Sequence, residues 1–241
     1  MPHYRCWILE LLEKRVRGCF YGWLILSSHP IINKWSLWNP LTSKIIGLLT
    51  LILEDGQYES IRHCCLSAYP DDPTLILLLT RTNKSTFVFC RLDKKKKKFR
   101  WTEMSYARQL KKLTHDGELI HIPTSCNGKA YALSTDAGIT KFVIHADIVV
   151  RDKEVSIKLM LLSECPFPWG LGGKGTMHYL KRSTTELFYI RIYIDEQTMR
   201  TEKAPVHLNI FKSDMTCIDW EKMECLKEGD ITDYDFDVSA F

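Results

Sequence analysis

The segment GLGGKG places Gly170, Gly172 and Gly175 at the G-x-G-x-x-G spacing of a dinucleotide-binding loop. That chemistry requires a strand before the loop and a helix after it, so that the phosphates meet free helix N–H groups. Here CPFPW precedes the loop and the strand-like TMHYLKR follows it, and Lys174 precedes a glycine rather than the Ser or Thr of a Walker loop. We therefore predict a loop that binds no nucleotide cofactor. Trp169 and Lys174 in this loop are candidates for a recognition surface instead.

The cluster His63, Cys64 and Cys65 combines side chains that bind metals. In a strand, however, His63 and Cys65 face one way and Cys64 the other, and the chain has no C-x-x-C pair of the kind found in zinc sites. We predict no metal site and no catalytic residue, because no G-x-S-x-G elbow occurs either. The paired carboxylates of Asp71 and Asp72 lie in a Pro-Asp-Asp-Pro stretch, which is typical of a turn.

The run from Lys94 to Lys98 concentrates positive charge in one place. Its five lysines exceed the formal net charge of +4, so the rest of the chain is slightly acidic. Five adjacent like charges indicate a solvated loop, and a nuclear-import signal is the sharper hypothesis. No aromatic side chain interrupts Lys94, Lys95, Lys96, Lys97 and Lys98 to stack on bases, so nucleic acid is not a predicted partner.

The distribution of apolar residues predicts no membrane partner. The longest apolar stretch, Ile45 to Leu53, is far shorter than the roughly 20 residues of a spanning helix. Glu10 and Glu13 interrupt the uncharged region that a signal peptide would need. Nine cysteines are an odd number in a chain too large to depend on disulfides. We expect a soluble, reduced protein that is cytoplasmic and/or nuclear.

The elements that would position these residues are mostly strands. Residues 3–17 predict one amphipathic N-terminal helix, because their apolar side chains form a single stripe that ends before Gly18. Ala107 to Leu113 predicts either a short helix or a turn. Elsewhere short runs of β-forming residues alternate with turn residues, giving about sixteen candidate strands and an all-β class.

Two segments indicate an internal repeat. Phe87–Met104 and Leu208–Met223 each contain an apolar strand, an Asp, a turn and a Trp-x-x-Met sequence, and Asn127–Ile144 is a further hairpin with Asn-Gly turn chemistry. Trp101 and Trp220 lie about three units of about 40 residues apart, which is a typical propeller-blade period. We therefore predict a β-propeller of about four antiparallel blades, with Trp101 and Trp220 as largely buried structural blade anchors on equivalent strands.

The order of several motifs resembles a known family. GWLILSS, WSLWNPLTSKI, a Pro-Asp-Asp-Pro stretch, FVFCRLD…RWTEM, NGKAYAL and NIFKSD…DWEKMECLKEGD follow one another as in the plant F-box-associated β-propeller of the KIB type, a kelch-like domain. The resemblance covers about residues 19 to 230. It implies an N-terminal helix over 1–18 and a propeller over 19–241. It also implies a non-enzymatic protein-interaction module, the substrate receptor of an SCF-type ubiquitin ligase, which holds a target protein that the sequence does not identify.

Both ends of the chain depart from the family pattern. Only 18 residues precede Cys19, too few for the helices of an F-box, and the chain stops at Phe241 where family members continue. We therefore expect no binding to the ubiquitin-ligase adaptor. Two alternatives stay open: an enzyme on a propeller scaffold, such as a hydrolase or sugar-acting protein, and a truncated gene-fragment product. The enzyme requires polar residues with perturbed pKa values in one pocket, and the fragment predicts exposed strand edges.

Overall fold

The computed structural model describes residues 9–28, 33–92, 99–114, 117–126, 129–136, 140–151, 154–164, 177–183, 186–194, 206–214 and 219–223. These residues form sixteen strands in four antiparallel sheets of four strands each. Every sheet takes four strands that are consecutive in the chain, and their order across the sheet follows the sequence.

The strands of the four sheets, which we call blades 1 to 4, have the following bounds. Blade 1 contains β1 (Lys14–Phe20), β2 (Trp23–Ser28), β3 (Trp35–Asn39) and β4 (Lys44–Gly47). Blade 2 contains β5 (Ile61–Leu66), β6 (Ile76–Arg81), β7 (Thr86–Arg91) and β8 (Trp101–Ser105). Blade 3 contains β9 (Gly117–Cys126), β10 (Lys129–Asp136), β11 (Thr140–Arg151) and β12 (Glu154–Glu164). Blade 4 contains β13 (Met177–Arg182), β14 (Glu186–Ile194), β15 (Val206–Asp214) and β16 (Glu221–Lys222).

The first strand of each blade lies against the first strand of the next. β1 contacts β5, β5 contacts β9, and β9 contacts β13. This places the four first strands around a common axis, with the later strands of each blade pointing outward. The arrangement confirms the predicted propeller of four antiparallel blades.

Burial follows the hydrophobic pattern of the strands. All six residues of β6 are buried, as expected for a strand apolar on both faces and packed between neighbouring blades. One apolar core joins blades 1, 2 and 3. A second cluster joins blades 3 and 4 and consists of Tyr131, Leu133, Val143, Leu180, Leu187, Tyr189 and Phe211.

The predicted N-terminal helix is wrong over the part that the structure describes. Residues 1–8 lie outside the described residues, Leu9–Leu11 form a single 3₁₀ turn, and Lys14–Phe20 are strand β1. Tyr21 and Gly22 have φ values of 55° and 73°, the left-handed pair of a two-residue hairpin turn that joins β1 to β2. Pairing with β2 therefore overrides the helical stripe, and blade 1 includes residues 14–18, which we had assigned to the helix.

Three shorter predictions are confirmed. Ala107–Leu113 form helix α1, one of the two alternatives for that segment. β7 and β8 pair as an antiparallel hairpin across residues 93–98, which lie outside the described part of the chain. β9 ends at Cys126 and β10 begins at Lys129, so the Asn-Gly dipeptide stands between two paired strands.

Candidate functional site

One residue from each blade contributes to a cluster at the end of the axis where the first strands end. Tyr21 follows β1, Tyr69 follows β5, Ser125 lies near the end of β9, and Arg182 ends β13. The ring centroids of Tyr21 and Tyr69 are 4.2 Å apart. The Oη atom of Tyr21 and the Oγ atom of Ser125 share a hydrogen bond of 3.2 Å. The Cζ atom of Arg182 lies 4.4 Å from the centroid of the Tyr21 ring. We call these four residues the axial cluster and this end of the molecule the upper face.

Tyr21 is held at the centre of the axial cluster by its hairpin turn. A non-glycine residue with a left-handed φ is strained by about 1 kcal/mol or more, and the contacts of Tyr21 with three other blades offset that strain. Tyr69 is 66% exposed, whereas Ser125 is fully buried. The cluster therefore runs from the interior of the axis to solvent.

The cysteines near the axis are unsuited to thiolate chemistry. Burial raises the pKa of Cys65 to about 12, which the nearby positive charge of Arg182 only partly opposes. Burial likewise raises the pKa of Cys90 to about 12. Cys64 is buried and donates its S–H to the backbone oxygen of Arg17 at 3.5 Å. Because the thiolate is the reactive and metal-binding form, these thiols act as small buried hydrophobic groups.

The predictions of no metal and no cofactor site remain predictions. Among the residues that the structure describes, no group of three or more His, Cys, Asp or Glu side chains could hold a metal ion. A cavity of about 10 Å³ lies between blades 2 and 3, and apolar side chains such as Leu78, Phe87 and Leu159 line it. That volume holds at most about one water molecule, so this cavity admits no substrate.

Exposed apolar side chains lie mainly at the opposite end of the axis, where the first strands begin. We call this end the lower face. Its exposed apolar residues on strand starts and connections are Leu9, Leu12, Leu49, Ile52, Met177 and Leu208, each between 46% and 80% exposed. On the upper face, the large apolar side chains with comparable exposure are Leu41 and Tyr69. The lower face is therefore the more apolar of the two described ends.

A charged network fixes the connection from blade 1 to blade 2 at the lower face. The side chain of Arg81 is fully buried and donates from Nη2 to Asp55 Oδ2 at 2.6 Å and from Nη1 to Glu103 Oε1 at 2.9 Å. Its Nε donates to Ser60 Oγ at 2.9 Å. Lys84 Nζ lies 3.2 Å from the same Glu103 oxygen. All three guanidinium nitrogens of Arg81 thus have acceptors, which makes its burial tolerable.

The network lowers the pKa of both carboxyl groups. The hydrogen bond from Arg81, together with the Gln57 backbone N–H, lowers the pKa of Asp55 below its ordinary value. Burial alone would raise the pKa of Glu103, but hydrogen bonds from Lys84, Thr86 and Arg81 together lower it. Both groups are therefore held in their charged form.

The predicted tryptophan anchors occupy matching positions in blades 2 and 4. Trp101 begins β8, and its Nε1 donates to the backbone oxygen of Leu49, just after the last strand of blade 1, at 2.7 Å. Trp220 directly precedes β16, and its Nε1 donates to Ser163 Oγ on the last strand of blade 3 at 2.9 Å. Each indole thus reaches from the last strand of its own blade to that of the preceding blade. Both side chains are half-buried rather than largely buried.

The other predicted site residues lie outside the described residues. These are the lysine run Lys94–Lys98 and the recognition-loop candidates Trp169 and Lys174. The described strand ends that flank them belong to different faces of the propeller. β7 ends and β8 begins at the upper face, whereas β12 ends and β13 begins at the lower face.

Sequence reasoning missed Tyr21, Arg182 and Arg81. The dipeptide Tyr21-Gly22 between apolar runs carried a detectable turn signal, although Tyr is an unusual residue for a left-handed φ. No local signal marks Arg182 or Arg81, because the contacts that define them come from other blades or from a distant connection.

The fold and the family can now be stated together. Four consecutive antiparallel sheets around one axis define a β-propeller. Residues 2–232 match the family model described as the KIB1-4 beta-propeller, and the chain belongs to this family. It is generally a non-catalytic domain associated with F-box proteins, in agreement with the resemblance noted in the sequence. No curated protein matches the chain. Among the described residues, no helix is long and apolar enough to cross a bilayer.

Proposed function

We propose that this propeller is a non-catalytic interaction module that holds a target protein against its lower face. The observation that carries the proposal is the set of exposed apolar side chains there, from Leu9 at 80% exposure to Met177 at 46%. Monomeric proteins rarely expose large apolar patches, and such patches commonly mark protein interaction sites. Burying them under a partner would yield about 25 cal/mol for each Å² of apolar area removed from water.

The family context supports a target that is delivered for ubiquitin transfer. The KIB1-4 propeller is associated with F-box proteins, and F-box proteins connect a target to a ubiquitin ligase. An enzymatic role has less support, because the cavity between blades 2 and 3 is about 10 Å³ and apolar. The buried thiols of Cys65 and Cys90, with pKa values of about 12, are not poised as nucleophiles.

Site-specific photo-crosslinking tests which face holds the target. A photoreactive amino acid is introduced at Ile52 on the lower face, 80% exposed, and in a matched variant at Leu41 on the upper face, 90% exposed. We expect cells that express the Ile52 variant to yield a discrete crosslinked product identified by mass spectrometry. Adding Leu9→Ser and Leu12→Ser should remove that product.

Two results would contradict the proposal. Equal crosslinking from positions 41 and 52 would show that the lower face has no special role. A product from position 52 that contains only a second copy of this chain would show self-association instead of target binding. Circular dichroism of each variant checks that the propeller is intact.

A further inference from the structure

Arg182 presents an uncompensated positive charge at the upper end of the axis. Within the described part of the chain, its guanidinium makes no hydrogen bond or ion pair, and its contact is with the ring of Tyr21 at 4.4 Å. The side chain is half-buried. Buried Arg81, in contrast, has an acceptor for each of its three nitrogens. The N–H donors of Arg182 are thus available to a ligand.

The position of the Arg182 guanidinium is fixed in advance. It lies over the Tyr21 ring, and Tyr21 is itself held by the Tyr69 ring at 4.2 Å and by the hydroxyl of Ser125 at 3.2 Å. A cation held over an aromatic face keeps its in-plane N–H groups free to bind a planar anion. Little side-chain entropy would be lost when a ligand binds such a group.

We propose that the axial cluster binds the carboxylate of an Asp or Glu side chain in an extended segment of a protein partner. One guanidinium offers a single charge and a planar fork, which matches a carboxylate by two parallel hydrogen bonds. A phosphate dianion would leave one negative charge unbalanced. The ring of Tyr69, 66% exposed, provides a surface on which an apolar neighbour of the acidic residue can pack. This site lies at the opposite end of the axis from the target-binding face proposed above, so it is independent of that proposal.

A peptide array tests the acid preference directly. The probes are random-sequence hexapeptides with Glu fixed at one central position, each paired with the same peptide carrying Gln. We expect the wild-type protein to bind the Glu set at least about tenfold more tightly than the Gln set. Arg182→Gln should abolish this preference. The matched control Arg108→Gln, which removes an exposed arginine on α1, should retain it.

Further variants keep the test decisive. If Arg182→Gln fails to fold, Arg182→Lys decides: in a folded protein, loss of most of the preference supports the fork geometry, and an unchanged preference overturns it. Tyr69→Ser should weaken binding of the peptides with an apolar residue beside Glu. Equal binding of the Glu and Gln sets by wild type overturns the proposal. So does an inorganic phosphate ion that binds wild type and Tyr69→Ser alike and displaces every peptide. Ile52→Ser should leave the array unchanged, which separates this result from the fate of the lower-face proposal.

Discussion

At the scale of single residues, Arg81 is the most constrained charge in the described structure. Its side chain is fully buried and donates to three acceptors, one of them in the connection between blades 1 and 2. Replacing one member of a buried ion pair leaves the partners poorly compensated. We expect Arg81→Met to lower the free energy of unfolding by about 3 kcal/mol, measured by urea denaturation.

Lys84 supplies the matched control for Arg81. Its side chain is 45% exposed and it pairs with the same two carboxylates. Exposed ion pairs contribute little, so Lys84→Met should change the free energy of unfolding by no more than about 1 kcal/mol. Similar losses from the two variants would mean that burial of Arg81 is not what makes its contacts important.

The same network predicts how stability depends on pH. The pKa values of Asp55 and Glu103 are lowered in the folded protein, so the unfolded chain binds protons more readily than the folded one as the solution is acidified. The stability from these pairs is therefore fully present above the unfolded carboxyl pKa of about 4 and is lost as the pH falls through the lower folded values. Urea titrations between about pH 6 and pH 3 should show this loss. Arg81→Met should show a shallower dependence, and an unchanged slope would exclude the network as its source.

At the scale of elements, α1 protects the outer edge of blade 3. The side-chain amide of Gln109 donates from Nε2 to the backbone oxygen of Ile157 and accepts at Oε1 from the N–H of Leu159, both at 3.0 Å. β12 is the last strand of its sheet, so these backbone groups face away from β11. The amide therefore takes the place that a peptide group of a fifth strand would occupy, and it blocks pairing with another chain.

Replacing Gln109 should therefore weaken the fold and promote association. Gln109→Ala leaves two backbone groups of β12 without these partners, which we expect to cost about 1–3 kcal/mol in the free energy of unfolding. Size-exclusion chromatography with light scattering should show concentration-dependent association of this variant. Arg108→Ala, at the exposed neighbouring position, should remain like wild type. A monomeric Gln109→Ala protein of unchanged stability would contradict the edge-protection argument.

At the scale of the whole molecule, Tyr21 connects blade 1 to the three other blades. Tyr21→Phe keeps the ring contacts with Tyr69 and Arg182 and loses the hydrogen bond to Ser125, so it should cost about 1 kcal/mol. Tyr21→Gly relieves the strain of the left-handed φ but removes all three contacts. We expect Tyr21→Gly to be the less stable variant and to increase amide hydrogen exchange in β13, because Arg182 loses its contact with blade 1. If Tyr21→Gly is the more stable, relief of backbone strain outweighs closure of the ring.

The lysine run bears on where the whole protein acts, and we propose that it directs nuclear import. Changing Lys94–Lys98 to Gln removes five positive charges and should alter the free energy of unfolding by no more than about 0.5 kcal/mol, as for other exposed substitutions. A fluorescently tagged variant should lose nuclear enrichment while its amount in the cell stays the same. Identical distribution of wild type and variant would leave the run as a solvated loop and remove the argument for a nuclear location.

Much of the propeller was predictable because its signals are local. Each blade consists of four strands consecutive in the chain, so hairpin turns, apolar runs such as β6 and the repeated Trp-x-x-Met sequence record the architecture along the sequence. The short helix α1 and the hairpins β7–β8 and β9–β10 followed from the same local reasoning. The order of these motifs also placed the chain in its family.

What the sequence by itself determined is therefore the class of fold, the number of blades and the family, since these depend on residues close together in the chain. The tertiary structure alone decided that Lys14–Phe20 form a strand, because pairing with β2 outweighs an amphipathic stripe. It alone also decided the axial cluster and the Arg81 network. Tyr21 and Ser125 are 104 residues apart in the chain, and Arg81 and Asp55 are 26 apart. Contacts at such separations leave no periodicity to detect, and they exist only because the first strands of the blades meet at one axis and the connections between blades fold back against their neighbours.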